Sequence, residues 1–157
     1  MSDFTSLPEA GPVRRVLALL YDTLVVTAIT LSYVLIVAIV AKIITSPKTD
    51  EIIEVYQYFW FPIGMVVVNL LFFVYSWRKA GQTMGMRSWR LKLINLQGQA
   101  PSIQQCLLRC LLASVSIIFV GLGYWWCWFD KEGRSAHDRL TQTRVVLLPK
   151  LKEKNKT

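Results

Sequence analysis

A run of apolar residues from Val16 to Ala41, broken by a single charge at Asp22, constrains this chain more than any other feature. A helix needs about 20 such residues to cross a hydrocarbon core of about 30 Å. Two further runs follow. Val55 to Trp77 carries no charge, though it holds Gln57, Pro62 and Asn69, and Cys110 to Phe129 carries none either, with Arg109 standing just before it. The first run is too long for the apolar region of a cleavable signal, and no small-residue cleavage site closes it. With 157 residues, 54% of them hydrophobic, and a mean hydropathy of +0.40, the chain reads as one small polytopic membrane domain rather than a soluble one.

Charge orients the runs. The net charge of +8 fits the bias of basic residues toward the cytoplasmic side and contact with anionic lipid, not nucleic acid. The connection between the first two runs sets Lys42 and Lys48 against Asp50, Glu51 and Glu54. Residues 78–105 carry Arg78, Lys79, Arg87, Arg90 and Lys92 and no acid, and base also exceeds acid after Phe129. This pattern predicts an internal N-terminus, an external first connection, and both basic stretches inside. Three plain crossings would instead place the tail outside. The stretches "RLKLIN" (90–95) and "RVVLLP" (144–149) both have strand character and would gain from pairing, which requires them on one side. A third apolar region that enters and returns, bending at Gly121-Leu122-Gly123, meets that requirement; a plain third crossing is the alternative. The tip Met1 to Pro12 reads as short, polar and frayed.

Polar residues inside apolar runs are the candidate functional groups. Arg15 and Asp22 are seven residues apart, about 10 Å along a helix and on nearly the same face. An aspartate at such depth costs a few kcal/mol, so something must retain it. Arg15 can turn inward to it. Asn69, at a similar depth on a returning second span, is placed to hydrogen-bond to it. Asp22 then has two readings: a protonatable or cation-binding carboxylate, or half of a buried pair that fixes helix packing. In "GQTMGMR" (81–87), Gly81, Gln82, Thr83 and Gly85 could form either a headgroup nest of backbone N–H groups or a tightly packed juxtamembrane turn. "DKEGRSAHDRLTQT" (130–143) holds the only histidine, His137, beside Asp138. The two do not face each other on a helix, and a cap that binds loop carbonyls and Arg15 is the simpler reading. Cys106 and Cys110 share a helix face, but as small apolar fillers they imply neither disulfide nor metal. "GYWWCWF" (123–129) reads as an interfacial aromatic belt. No catalytic constellation, cofactor motif or metal-ligand spacing is legible, so no enzyme is expected.

Three segments carry a family resemblance. "RRVLALLYD" (14–22) resembles the opening motif of the RDD family of small membrane proteins, named for one arginine and two aspartates. "GQTMGMRSWRLKLINLQGQAPSIQQCLLR" (81–109) resembles its central segment, and "WCWFDKEGRSAHDRLTQTRVV" (126–146) its closing one. The resemblance implies that Arg15, Asp22 and Asp138 are the signature residues, with Asp130 the rival for the third place. It implies a bacterial inner-membrane location and, as a candidate activity, transport that includes cation–proton exchange. One departure is visible: Gln142 stands where a glycine is common in the family, so the turn there is expected to differ.

The resulting expectation is an all-α membrane protein forming one domain over 1–157. It has spans at 16–41 and 55–77, a cytoplasmic basic segment at 78–105, a third apolar region at 106–129 that is either a re-entrant hairpin or a third span, and a basic tail at 130–157. A small two-stranded cytoplasmic appendage completes it. The expected function is that of a transporter or transport subunit using Asp22, or else of a non-transporting assembly or lipid-binding module. The expected partners are membrane lipids with anionic headgroups and a second copy or another membrane protein, without nucleic acid.

Overall fold

The structure is a computed structural model that describes residues 4–45, 60–118 and 135–149. The bend at Gly121-Leu122-Gly123, the aromatic cluster at 123–129, Cys127, Asp130 and the tail at 150–157 lie outside the described residues.

Helix α1 spans Pro12–Thr45 and helix α2 spans Trp60–Ala80. Both are long and apolar enough to cross a membrane. The sequence dictates this directly: α1 has Pro at its first position, where a missing N–H costs nothing, and no breaker follows for 33 residues. Its polar Thr23, Thr27 and Ser32 bond back to the carbonyls of Leu19, Thr23 and Ala28, so none leaves a free hydroxyl. Leu24, Leu31 and Leu35 point outward at 71, 63 and 60% exposure. Such a surface is stable where the surroundings are hydrocarbon and not water. Both helices outrun the expected limits. At 34 residues α1 is about 51 Å long, well beyond a hydrocarbon core, so its first turns can extend past it. The second helix continues three residues beyond Trp77 to Ala80.

After α2 the chain turns at Gly81, whose φ of +68° is left-handed and which a side chain could not occupy without meeting the Leu93 carbonyl. Then come the short helix α3, Met84–Ser88, the strand β1, Leu91–Asn95, a turn through Gln97–Gln99, and helix α4, Ile103–Ile118. The 78–105 segment is therefore folded throughout rather than a charged tether, and the third apolar helix starts three residues before Cys106. Helix α5, Ala136–Leu140, and strand β2, Thr143–Leu147, close the described chain.

The two expected strands pair antiparallel, with Leu91 opposite Leu147, Leu93 opposite Val145 and Asn95 opposite Thr143. Alternation puts Leu91, Leu93 and Val145 into a buried cluster with Ala10, Ala18, Trp77, Met86 and Cys106. From Phe4 on, the N-terminal tip is not frayed. Phe4–Ser6 forms a 3-10 turn, Glu9 bridges Val146, and the Ala10 N–H donates to Val145 at 2.8 Å while Leu147 donates to Pro8 at 2.9 Å. The tip acts as a short third strand on the free edge of β2, so that edge is covered. Its composition concealed this, because the bonds are backbone bonds and Glu9 is fixed by Arg144 at 2.7 Å, an ion pair 135 positions apart in sequence.

The two flanks of the third apolar region meet. On α4, Gln105 donates to the Thr141 carbonyl at 3.1 Å and Arg109 to Thr143 Oγ1 at 2.8 Å. Residues 105–109 and 141–143, which flank the region, thus sit at the same end of the α1–α2 pair, together with β1, β2 and the N-terminal tip. A single straight crossing would hold those flanks apart by about the 30 Å of a hydrocarbon core.

Candidate functional site

Asp138 is the centre of the site. It is fully buried, at 0% exposure, and its two carboxylate oxygens accept from two guanidiniums, Arg15 of α1 on Oδ2 and Arg109 of α4 on Oδ1. Local sequence places it there. Ser135 caps α5, its hydroxyl accepting from the Asp138 N–H at 3.3 Å while the Ser135 N–H donates to Asp138 Oδ2 at 3.2 Å. This capping box fixes the carboxylate one turn into a helix of only five residues. Burial alone would raise the Asp138 carboxyl, but Arg109 and Arg15, with His137 and the Ser135 bond, outweigh it and hold it well below the usual carboxylate range. Arg15 is further satisfied by the Ala10 carbonyl at 2.9 Å and Glu9 at 3.4 Å.

Asp22 forms a second anchor. Its Oδ1 accepts from the Gly85 N–H at 2.8 Å and its Oδ2 from the Thr83 hydroxyl. Thr83 is also the N-cap of α3, receiving the Met86 N–H at 3.2 Å. A carboxylate at the first turn of α3 meets donors that the helix cannot satisfy itself. The contact is close: a side chain at Gly85 would lie 2.1 Å from the Ala18 carbonyl and 2.9 Å from Asp22 Cγ, so only glycine fits.

Two expected contacts are not made. Asp22 is held by Thr83 and Gly85 rather than by Arg15, whose guanidinium goes to Asp138. Asn69 does not reach Asp22 either; its amide nitrogen donates to Thr30 at 3.1 Å and to the Met65 carbonyl at 2.9 Å. Thr30 is eight residues beyond Asp22, about 12 Å further along α1. Counted from the helix ends the two depths remain similar, ten residues from Pro12 and eleven from Ala80, so the miss lies in how α1 and α2 are offset along each other. The nest reading of Gly81, Gln82, Thr83 and Gly85 also changes. The Gly81 N–H donates to Trp77 at 3.0 Å and the Gly85 N–H to Asp22, while Gln82 binds the Leu91 carbonyl. The anion that the turn holds is the chain's own aspartate.

His137 is 2% exposed. Burial first, and Arg109 and Arg15 against a smaller opposing pull from Asp138, push its pKa down to about 4, so it is neutral near pH 7. Arg109 is the one site residue the sequence reading passed over, treating it as a flank. Its signal was a charged residue one turn after Gln105 on a largely apolar helix. Among the described residues, no group of three or more His, Cys, Asp or Glu side chains could hold a metal, and Cys106 and Cys110 are free.

Beneath these anchors lies a cavity of about 510 Å³ between α1, α2 and α4. Arg15, Asp22, Trp77, Thr83 and Arg109 line one end, and Val26, Thr30, Met65, Val66 and Asn69 the other. The Arg109 guanidinium lies 5.7 Å from the Trp77 ring centre. Among the described residues, the Trp77 indole N–H and the Asn69 carbonyl oxygen are buried without a hydrogen-bond partner.

Compared with known proteins, residues 9–142 match the model of the RDD family. No curated protein and no solved structure matches the chain.

Proposed function

The chain belongs to the RDD family, and on that premise we propose that it is a non-enzymatic integral membrane module of the bacterial inner membrane whose signature residues latch a cytoplasmic cap onto two spans. The observation that carries this reading is the complete burial of Asp138 between Arg15 and Arg109. One carboxylate ties α5 to both α1 and α4, and Asp22 ties α3 to α1. All three signature residues therefore spend their charge on joining elements far apart in sequence. The family match and two apolar helices mark a membrane protein. Clustering of the basic 78–95 segment, the N-terminal tip and β2 at one end of the spans fits a multi-pass arrangement with that end in the cytoplasm. In this reading the third apolar region enters and returns. The cap gives the module a fixed surface for anionic headgroups and for a second copy or another membrane protein.

One observation favours a second reading, transport. Asp22 lines the interhelical cavity, and an intramembrane carboxylate beside a cavity is a default site for ion or proton coupling. Two spans enclose no pathway by themselves, so this reading requires an oligomer. Proteoliposomes under an imposed pH gradient, screened with Na⁺, K⁺ and Li⁺, separate the two. The latch reading expects no flux and a less stable Asp22→Asn protein. An Asp22→Asn variant that inserts and assembles normally but loses a flux present in the wild type would replace the latch reading with the transport one.

A further inference from the structure

Helix α3 turns one apolar and one charged side chain outward. Met84 is 61% exposed. Arg87 follows three residues later, so it neighbours Met84 on the helix surface, and it is exposed as well. Gly85 and Met86, on the other side of the turn, are buried against α1 and the core. Leaving a methionine in water forfeits the gain from burying it, so what surrounds α3 matters.

The chain fixes where α3 stands. The Gly81 N–H still bonds to the Trp77 carbonyl, continuing the last turn of α2. Met84 is three residues further, at most about 10 Å of extended chain. That last turn of α2 carries Arg78 and Lys79, both exposed, and basic residues at the end of a span mark the headgroup level. The side of α1 facing away from α3 stays apolar at this level. Leu20 is exposed, two residues and so about 200° around the helix from both Ala18 and Asp22, on which α3 rests.

Charge at this level is unequal. Arg78 bonds to the Pro101 carbonyl at 3.1 Å and Lys79 to the Tyr75 hydroxyl at 2.6 Å, both neutral acceptors. Among the described residues Arg87 is in no ion pair. Asp22, the carboxylate behind α3, is buried and accepts from Thr83 and Gly85. Counted in full, it still leaves three cations against one carboxylate. Glu9 and Asp138, the other acids among the described residues, are engaged by Arg144, Arg15 and Arg109.

We infer that α3 is an interfacial anchor: Met84 enters the acyl boundary of the leaflet and Arg87 pairs with the phosphate of an anionic membrane lipid. An exposed apolar side chain beside an exposed guanidinium, level with the end of a span, complements a leaflet whose hydrocarbon gives way to phosphate over a few ångströms. This rests on the membrane-module reading and names the element by which the module grips the lipid.

Nitroxide labels on the full chain test this, in a background without native cysteines. The vesicles are phosphatidylcholine with or without an equal amount of phosphatidylglycerol. One label goes to Met84→Cys and a reference label to Gln99→Cys, in the exposed turn after β1. With phosphatidylglycerol present, contact with dissolved oxygen relative to a water-soluble nickel chelate should be severalfold greater at 84 than at 99. Omitting phosphatidylglycerol should lower the ratio at 84, and Arg87→Gln should abolish that dependence on lipid at an unchanged thermal midpoint. Equal ratios at 84 and 99 overturn the inference. So does a label at 84 shielded from both reagents, which would mean a protein partner on α3, and so does a lipid dependence that survives Arg87→Gln. Flux lost in Asp22→Asn would sink the latch reading and leave these ratios untouched. A water-exposed position 84 in a protein without flux would sink the anchor and leave the latch standing.

Discussion

Asp138 shows how one buried side chain can tie a short helix to two others. Its burial would be prohibitive for a lone carboxylate; two guanidiniums and a capping box make it tolerable. Removing the charge alone, in Asp138→Asn, leaves Arg15 and Arg109 facing each other without the carboxylate they share. We expect a loss of about 3–5 kcal/mol, read from thermal unfolding in detergent. Arg109→Gln added to it should recover part of the loss, because one of the two stranded cations is gone. Gln142 tests the opposite sign. Where the resemblance implies a glycine, Gln142 stands in the left-handed region at φ +53°. A left-handed non-glycine residue costs about 1–2 kcal/mol, partly offset by the greater freedom of an unfolded glycine. Gln142→Gly should therefore stabilise the protein by up to about 1 kcal/mol; a loss of stability would mean that the glutamine side chain holds the turn.

His137 and Asp138 also fix the pH dependence at this scale. The folded His137 has its pKa near 4, against about 6.5 unfolded. The unfolded chain thus binds the extra proton between these values, and stability should fall as pH drops from about 6.5 to about 4, by about 3 kcal/mol in all. Asp138 is depressed instead, so its contribution is fully present above the ordinary carboxylate pKa of about 3.9 and is lost only in strong acid. Thermal midpoints of wild type and His137→Gln across this range separate the two: the slope above pH 4 should vanish in the variant.

At the scale of elements, close contact does what charge does at Asp138. Helix α3 has five residues, far too few to persist alone. It is held because Gly85 lets its backbone press on Ala18 and Asp22. Gly85→Ala should push α3 off α1 and lower the thermal midpoint more than the neighbouring exposed Met84→Ala. The strands are equally dependent on their surroundings. "RLKLIN" and "RVVLLP" were legible as strands from alternation and valine content, and each is pinned by the other. In a background without native cysteines, Lys92→Cys should cross-link with Val146→Cys, its direct partner, and not with Val145→Cys, whose side chain points to the opposite face. Cross-linking to position 145 would mean a one-residue slip, which would turn Leu93 out of the core.

For the whole molecule, the connected facts are that the N-terminal tip, β1, the start of α4, α5 and β2 all gather at one end of two long apolar helices. Tags inserted at Gly98 and fused to the C-terminus should report the same side of the membrane. Opposite sides would break the flanks that Gln105 and Thr141 join, and with them the returning third region. The basic residues favour the same side for both segments, and hydrogen bonds between Gln105, Arg109, Thr141 and Thr143 join the two flanks.

The sequence by itself determined the two long apolar helices, the strand pair and the placing of Arg15 and Asp22 in and beside an apolar run. These are local or periodic properties: apolar runs of membrane length, alternation along a strand, and a charge where its neighbours are apolar. It left open which charge meets which, offering Arg15 both to Asp22 and to the 130–143 cap. Arg15 lies seven residues from Asp22 and 123 from Asp138, yet bonds to the latter. Separation along a helix sets only whether two side chains can share a face, whereas the partner is chosen by whatever donors and acceptors the fold delivers to that face. For Asp22 the fold delivered the first turn of α3, which freed Arg15. For Arg15 it delivered the capping box of α5, and Arg109, read as a mere flank, became the second arm of the latch. The fate of the N-terminal tip was decided in the same way, because a free strand edge exists only after β2 has paired with β1.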